Sequence, residues 1–200
     1  MKLIVATSNK GKLREIREIL GQLGYEVLAP PRTIEVEENG GTFLENAFLK
    51  AKAYSEEFNL PALADDSGLV VLALGGLPGI FSSRFYEHEF GGREEVLESK
   101  DEANLRKLLR LMEGVKDRRA KFVSCVVLYR DGAGLFAFGE CEGFITSEPM
   151  GDGGFGYDPV FLPENSSKTM AQLTPEEKNA LSHRGQALRK LVKLIENLKE

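Results

Sequence analysis

Two hundred residues, 42% hydrophobic and 28% charged, suit one globular domain or two intimate lobes sharing a core. A formal net charge of −5 argues against a general nucleic-acid binder, which needs a basic face to neutralise phosphate. The first apolar stretch, residues 3–6, is too short for a signal peptide and no run reaches membrane-spanning length, so the chain reads as cytoplasmic with no membrane partner. The two cysteines, Cys125 and Cys141, lie in apolar runs without metal-ligand spacing and are expected to be buried free thiols.

The chain opens as a strand over residues 2–7. A helix follows, with Leu13, Ile16, Leu20 and Leu23 in phase and Gly24 at its end. Thr42-Phe43-Leu44-Glu45 predicts a capping box, opening a helix that carries Leu44, Ala47, Phe48, Ala51 and Phe58 on one face. A strand around Leu63 leads to the Asp65-Asp66 pair, and residues 75–79 predict a turn. Residues 94–112 read as one helix, polar and then Leu-rich. Residues 121–130 and 135–145 predict two strands joined by a hairpin turn at 131–134. A glycine-rich loop spans 150–158. Thr174-Pro175-Glu176-Glu177 predicts a second capping box opening the last helix, with Leu188, Leu191, Val192, Ile195 and Leu198 in phase. The order predicts an α/β domain with a mixed sheet.

Five segments carry candidate chemistry. Asp65 and Asp66 are costly at the mouth of a buried strand unless a cation or hydrogen-bond donors neutralise them; Ser67 adds a hydroxyl and Gly68 a backbone open to close approach. They suit a metal-assisted hydrolytic centre, or simply an Asp-rich turn. Thr7-Ser8-Asn9-Lys10-Gly11-Lys12 lies where a strand feeds a helix, a place whose free N–H groups suit phosphate, although the P-loop spacing is absent. Glu35, Glu37 and Glu38 form an acidic cluster that fits either a solvated loop or, with the Asp pair, an oxygen-ligand site for Mg²⁺. Gly153-Gly154-Phe155-Gly156-Tyr157-Asp158 brackets an aromatic ring able to stack on a flat ligand. Lys178 and Ser182-His183-Arg184-Gly185 gather hydrogen-bond donors near the last helix. His88, in a charged stretch, reads as solvated.

Thr7-Ser8-Asn9-Lys10-Gly11-Lys12, Thr42-Phe43-Leu44-Glu45-Asn46-Ala47, Ala64-Asp65-Asp66-Ser67-Gly68-Leu69, Phe155-Gly156-Tyr157-Asp158-Pro159 and Ser182-His183-Arg184-Gly185 recur in this order in a known family, and the chain resembles the inosine/xanthosine triphosphate pyrophosphatases from its first strand to its last helix. The resemblance implies an elongated α/β, mixed-sheet, two-lobed fold formed by residues 1–200, with the active site in the inter-lobe cleft, Mg²⁺ dependence and a homodimer. It implies hydrolysis of ITP, dITP or XTP to the monophosphate and pyrophosphate, cleansing the nucleotide pool. Carried over by position, Thr7, Ser8, Asn9, Lys10, Gly11 and Lys12 hold the triphosphate. Glu37 and Asp66 hold the metal, Asp66 is also the general base, and Ser67 contacts substrate. Phe155, Gly156, Tyr157, Asp158, Lys178, His183 and Arg184 frame the base. Asn39 stands where the family has Thr after the Glu pair, which leaves Glu38 as the alternative to Glu37. Phe81-Ser82-Ser83-Arg84-Phe85 replaces a Tyr-Ser-Ala-Arg-Tyr-like string, and residues 88–101 are longer and more acidic than the family's.

Two rivals can be weighed. An aspartyl-nucleophile phosphatase needs a second Asp two residues after the first, where Ser67 and Gly68 stand here. A non-catalytic purine-nucleotide sensor needs no general base, so the set Glu37, Asp66, Lys10 and Lys12 counts against it.

Overall fold

The computed structural model describes residues 1–199. Six strands form one mixed sheet in the order β2-β1-β3-β4-β5-β6. They are β1 (Lys2–Val5), β2 (Glu26–Leu28), β3 (Ala62–Val71), β4 (Arg119–Arg130), β5 (Ala133–Ile145) and β6 (Phe161–Pro163). β1 pairs in parallel with β2 and β3, and β5 antiparallel with β6. The helices are α1 (Lys10–Gln22), α2 (Phe43–Phe58), α3 (Lys100–Leu111), α4 (Pro175–Leu181) and α5 (His183–Asn197). The mixed α/β class predicted from the sequence is thus observed. No described helix is long and apolar enough to cross a membrane, and both cysteines are buried free thiols.

By their contacts the residues group into two compact units. The first comprises Met1–Ser67, Ser124–Glu140 and the chain from Asn179; the second comprises Gly68–Val123 and Cys141–Lys178.

In the first unit, the period-2 alternation of the strands sorts residues onto two faces. Leu3 and Val5 of β1, Leu63 of β3 and Val126 and Leu128 of β4 pack with Ile16, Ile19 and Leu20 of α1 and Leu188, Leu191, Val192 and Ile195 of α5. Their neighbours Ile4, Ala6, Ala62, Ala64, Cys125, Val127 and Tyr129 pack with Ala47, Ala51 and Tyr54 of α2. Burial of each large aliphatic side chain contributes roughly 1.5–3 kcal/mol. α1 and α5 therefore cover one face of the strands and α2 the other. That parity decides the chemistry of the Asp pair.

In the second unit, the rings of Phe122 and Phe161 pack with centroids 4.4 Å apart and planes tilted by 50°. Lys107 of α3 is fully buried: it donates to the carbonyls of Phe85 (2.9 Å) and His88 (2.5 Å), and its ammonium lies 4.4 Å from the centre of the Phe85 ring. A buried ammonium is tolerated because those acceptors replace its water.

Several predicted elements differ in the structure. Helix α3 starts at Lys100, not 94, because Ser99 caps it by accepting from the Glu102 N–H at 3.1 Å. The polar stretch before it is irregular, and Glu94 instead accepts from Arg106 and Arg110, each at 3.0 Å. The last predicted helix is two, α4 and α5, broken at Ser182, whose hydroxyl accepts from the Gly185 N–H at 3.0 Å. Phe48, expected on the apolar face of α2, is exposed, and that face instead buries Asn46, Tyr54 and Ser55. Strands β2 and β6, three residues each, gave no readable alternation. The hairpin falls where predicted, with Asp131 and Gly132 both at positive φ, as a two-residue type I′ turn needs.

Candidate active site

Asp65 and Asp66 are buried midway along β3. Adjacent strand residues point to opposite faces. Asp65 shares the parity of Leu63 and so points toward α1 and α5, whereas Asp66 shares that of Ala64 and points toward α2.

On its face, Asp65 is saturated. Its Oδ1 accepts from Ser124 Oγ of β4 at 2.5 Å. Its Oδ2 meets Lys12 Nζ at 2.9 Å, Ser67 Oγ at 2.9 Å and Arg184 Nη2 at 3.4 Å. Arg184, 2% exposed, also donates from Nη2 to Ser67 Oγ (2.9 Å) and from Nη1 to Glu15 Oε2 of α1 (2.5 Å). Burial alone would raise Asp65, but the Arg184 guanidinium, the Lys12 ammonium and the Ser124 hydroxyl outweigh it and hold the carboxyl well below the usual range. Lys12 is pulled down by burial and by the cations Lys50 and Arg184, against the opposing pull of Asp65.

Asp66 is the opposite case. Its Oδ2 is buried with no hydrogen-bond partner among the described residues, and its Oδ1 lies 3.9 Å from Lys50 Nζ of α2. Burial pushes its pKa up to about 6; the lysines Lys50 and Lys12 lower it, while Asp65 and Glu38 raise it further. Lys50 donates to the Asp65 carbonyl at 2.9 Å and pairs with Glu38 Oε1 at 3.0 Å. The structure therefore brings Glu38 to Asp66 through Lys50, and leaves Glu37, the residue expected to hold metal, exposed at the preceding position. Behind the pair lies Cys125, whose thiol is pushed up to about 12 by burial and then by the two aspartates, which leaves it unreactive.

The start of α1 borders this cluster. Asn9 caps the helix, its Oδ1 accepting from the Lys12 N–H at 3.0 Å, while Thr7 Oγ1 accepts from the Asn9 N–H at 3.0 Å. Ser8 and Lys10 are exposed, and Gly11 is half-buried. Gly68 serves packing: a Cβ there would stand 2.2 Å from the Gly79 carbonyl oxygen.

The other expected site residues form a separate cluster in the second unit. Lys178 Nζ meets Asp158 Oδ2 at 2.6 Å and lies 4.6 Å from the centre of the Phe155 ring. The Phe155 N–H donates to the same carboxylate at 3.2 Å, and the Gly156 N–H donates to Asp101 Oδ2 at 3.0 Å. Gly154 is required here, since its φ is +67° and a Cβ would fall 2.1 Å from Asp158 Oδ2. Tyr157 is buried and its hydroxyl donates to the Ser82 carbonyl at 2.6 Å, which makes it a support for the loop. Lys178 thus groups with Phe155 and Asp158, whereas Arg184 groups with Asp65, Ser67 and Glu15. His183, beside it at the start of α5, is buried in the first unit.

Sequence reasoning missed Lys50, Ser124 and Glu15. Lys50 follows Asn46 by one helical turn, and Ser124 is the single serine or threonine inside the apolar run 122–129, so each left a faint signal. Glu15 left none that sets it apart from an ordinary helical carboxylate.

The donors suit a hard divalent cation. Asp66 presents an unpartnered buried oxygen, and Glu38 stands across Lys50 from it. Among the described residues no three His, Cys, Asp or Glu side chains are placed to hold an ion unaided. Mg²⁺ requires no such cage, because one or two carboxylates, water and substrate phosphate complete its octahedron.

Comparison with known proteins agrees along nearly the whole length. The Ham1 family profile matches residues 3–194. A protein named dITP/XTP pyrophosphatase from Aquifex aeolicus (strain VF5) is 63% identical over 197 residues, 98% of each chain. One of the same name from Escherichia coli (strain K12) is 45% identical over 98% of each chain. The solved structure of a HAM1 protein from Coxiella burnetii matches with a TM-score of 0.82 at 39% identity, over 98% of this chain and 99% of that one. With the profile spanning all but the ends and relatives this similar over their full lengths, the chain belongs to the Ham1 family.

Proposed function

We propose that this protein hydrolyses non-standard purine nucleoside triphosphates, dITP, XTP and ITP, between the α and β phosphates, with Mg²⁺ as cofactor. The observation that carries the reading is the asymmetry of the Asp pair. Asp65 is saturated by donors and fixed as a carboxylate, while Asp66 keeps an unpartnered oxygen and a raised pKa. A group poised near neutrality suits a general base that removes a proton from the attacking water. The N–H groups at the start of α1, with Lys10 and Lys12, meet the charge of the departing pyrophosphate. Bound Mg²⁺ would polarise the phosphate and orient water. Asp66 and Glu38 would hold it. Relatives named dITP/XTP pyrophosphatase support the substrate class.

Lys178 offers only donors and stacks with Phe155, a combination that favours a purine with oxygen at C6 over adenine, whose C6 carries an amino group. A nucleotide panel with Mg²⁺ tests the reading. dITP, ITP and XTP should each release pyrophosphate and monophosphate in equal amounts, and ATP should show kcat/KM lower by roughly 10²-fold or more. Initial release of orthophosphate and a diphosphate would overturn it, and tight binding without turnover would point to a sensor.

The metal ligands can be told apart by charge removal. Glu38→Gln should raise the Mg²⁺ concentration for half-maximal activity by about tenfold or more, and Glu37→Gln should change it little. The reverse ranking would restore Glu37 as the ligand.

A further inference from the structure

The stretch from Thr42 to Ala47 does more than start a helix. Asn46, at the fourth position of α2, is only 2% exposed. Its Oδ1 accepts from the Gly40 N–H at 2.9 Å, and its Nδ2 faces the Gly40 carbonyl at 3.5 Å, so one buried amide grips both polar groups of one residue. Beside it, Glu45 Oε2 accepts from the Gly41 N–H at 2.8 Å. The fit leaves no spare room: a Cβ on Gly40 would lie 2.6 Å from Glu45 Cβ and 2.8 Å from Asn46 Oδ1. One turn further along the same helix face, Lys50 holds Glu38, the Asp65 carbonyl and the edge of Asp66. Three side chains of α2, Asn46, Glu45 and Lys50, therefore fasten an otherwise irregular acidic segment at Gly40, Gly41 and Glu38.

We propose that Asn46 is a positioning residue for magnesium binding: by gripping Gly40 it sets the Glu38 carboxylate, two residues upstream, beside Lys50 and Asp66. The inference rests on the metal-dependent reading above and assigns a task to a motif that the catalytic scheme leaves idle. The physical reason is preorganisation. A carboxylate on an irregular segment must be ordered before it can ligate, and the Asn46 grip supplies that order in advance. Loss of a group that orients a metal ligand typically weakens metal affinity 10- to 100-fold.

Two variants and two measurements test this. In Asn46→Ala, the Mg²⁺ concentration for half-maximal hydrolysis of ITP should rise at least about tenfold, while kcat at saturating Mg²⁺ stays within about threefold of wild type. Mn²⁺ binding to the nucleotide-free protein, followed by loss of the free-ion EPR signal, should weaken by a similar factor. Gly40→Ala disturbs the same grip from the loop side and should reproduce both changes. The double variant should be little worse than either single one, as expected for partners in one contact. A role confined to folding would instead lower Tm and leave both metal measurements at wild-type values, and that result overturns the proposal. So does a fall in kcat that saturating Mg²⁺ does not restore. Wild-type activity indifferent to Mg²⁺ would remove the metal reading together with this inference. A metal-dependent wild type with unmoved variants would remove this inference alone.

Discussion

Replacing Asp66 by Asn is expected to lower kcat by roughly 10²-fold or more and, at the same time, to raise thermal stability. Both effects come from one property. The carboxyl is buried with one oxygen unpartnered, and its pKa is raised from 3.8 to about 6. At about 1.4 kcal/mol per pH unit, the ionised group weakens the native state by about 3 kcal/mol relative to an ordinary carboxylate. A group that titrates higher in the folded than in the unfolded chain lowers stability as pH rises from its unfolded toward its folded pKa, and the loss is complete above the latter. The gain in Tm of Asp66→Asn should therefore be largest at pH 7–8 and vanish below about pH 4, in buffer free of divalent cations. Calorimetric melts at both pH values, paired with kcat, check it. A variant both less stable and fully active would show that Asp66 is neither strained nor catalytic.

Asp65→Asn should behave in the opposite sense. The substitution removes the carboxylate charge facing buried Lys12 and one of the two carboxylates facing Arg184, which keeps Glu15, and breaking a buried pair typically costs about 3–5 kcal/mol. Because the Asp65 pKa is depressed in the folded state, its contribution is fully present above the ordinary carboxylate range and is lost as pH falls below about 4. Denaturant titration at pH 7 should show the loss in full, and the difference between wild type and variant should shrink in acid. Hydrolysis should suffer less per folded molecule than in Asp66→Asn, since the side chain faces away from the open carboxylate. If Asp65→Asn is the more damaging to kcat of folded protein, the roles of the two aspartates are reversed.

Much of this was legible in the sequence, for physical reasons. Long amphipathic helices announce themselves by period, and α1, α2 and the body of α5 were read because their apolar positions are local in sequence. The hairpin was read because only a few residue types tolerate positive φ, and Asp131-Gly132 is such a pair. What escaped was tertiary. Ser99 as a cap cannot be told from any serine until Glu94 is seen to be occupied by Arg106 and Arg110. Lys178 and Arg184 both lie near the start of the last predicted helix, yet the chain breaks at Ser182 and Arg184 turns to Asp65. Glu37 and Glu38 are indistinguishable as letters. Only Lys50, folded back from α2, separates them.

The acidic segment between β2 and α2 is fastened unevenly, and this bears on how relatives can differ in length. From Glu38 to Thr42 every residue count matters, because Lys50, Asn46 and Glu45 each hold a particular one. One added residue there would carry the Glu38 carboxylate out of reach of its lysine. Upstream, the Tyr54 hydroxyl accepts from the Ile34 N–H at 3.1 Å, and residues 29–33 before it lie at the surface without regular structure. Extra residues at that point would cost only a small increment of loop-closure entropy. Inserted residues are therefore expected to be tolerated before Ile34, whereas a residue added between Glu38 and Thr42 would pull at least one of these three contacts apart.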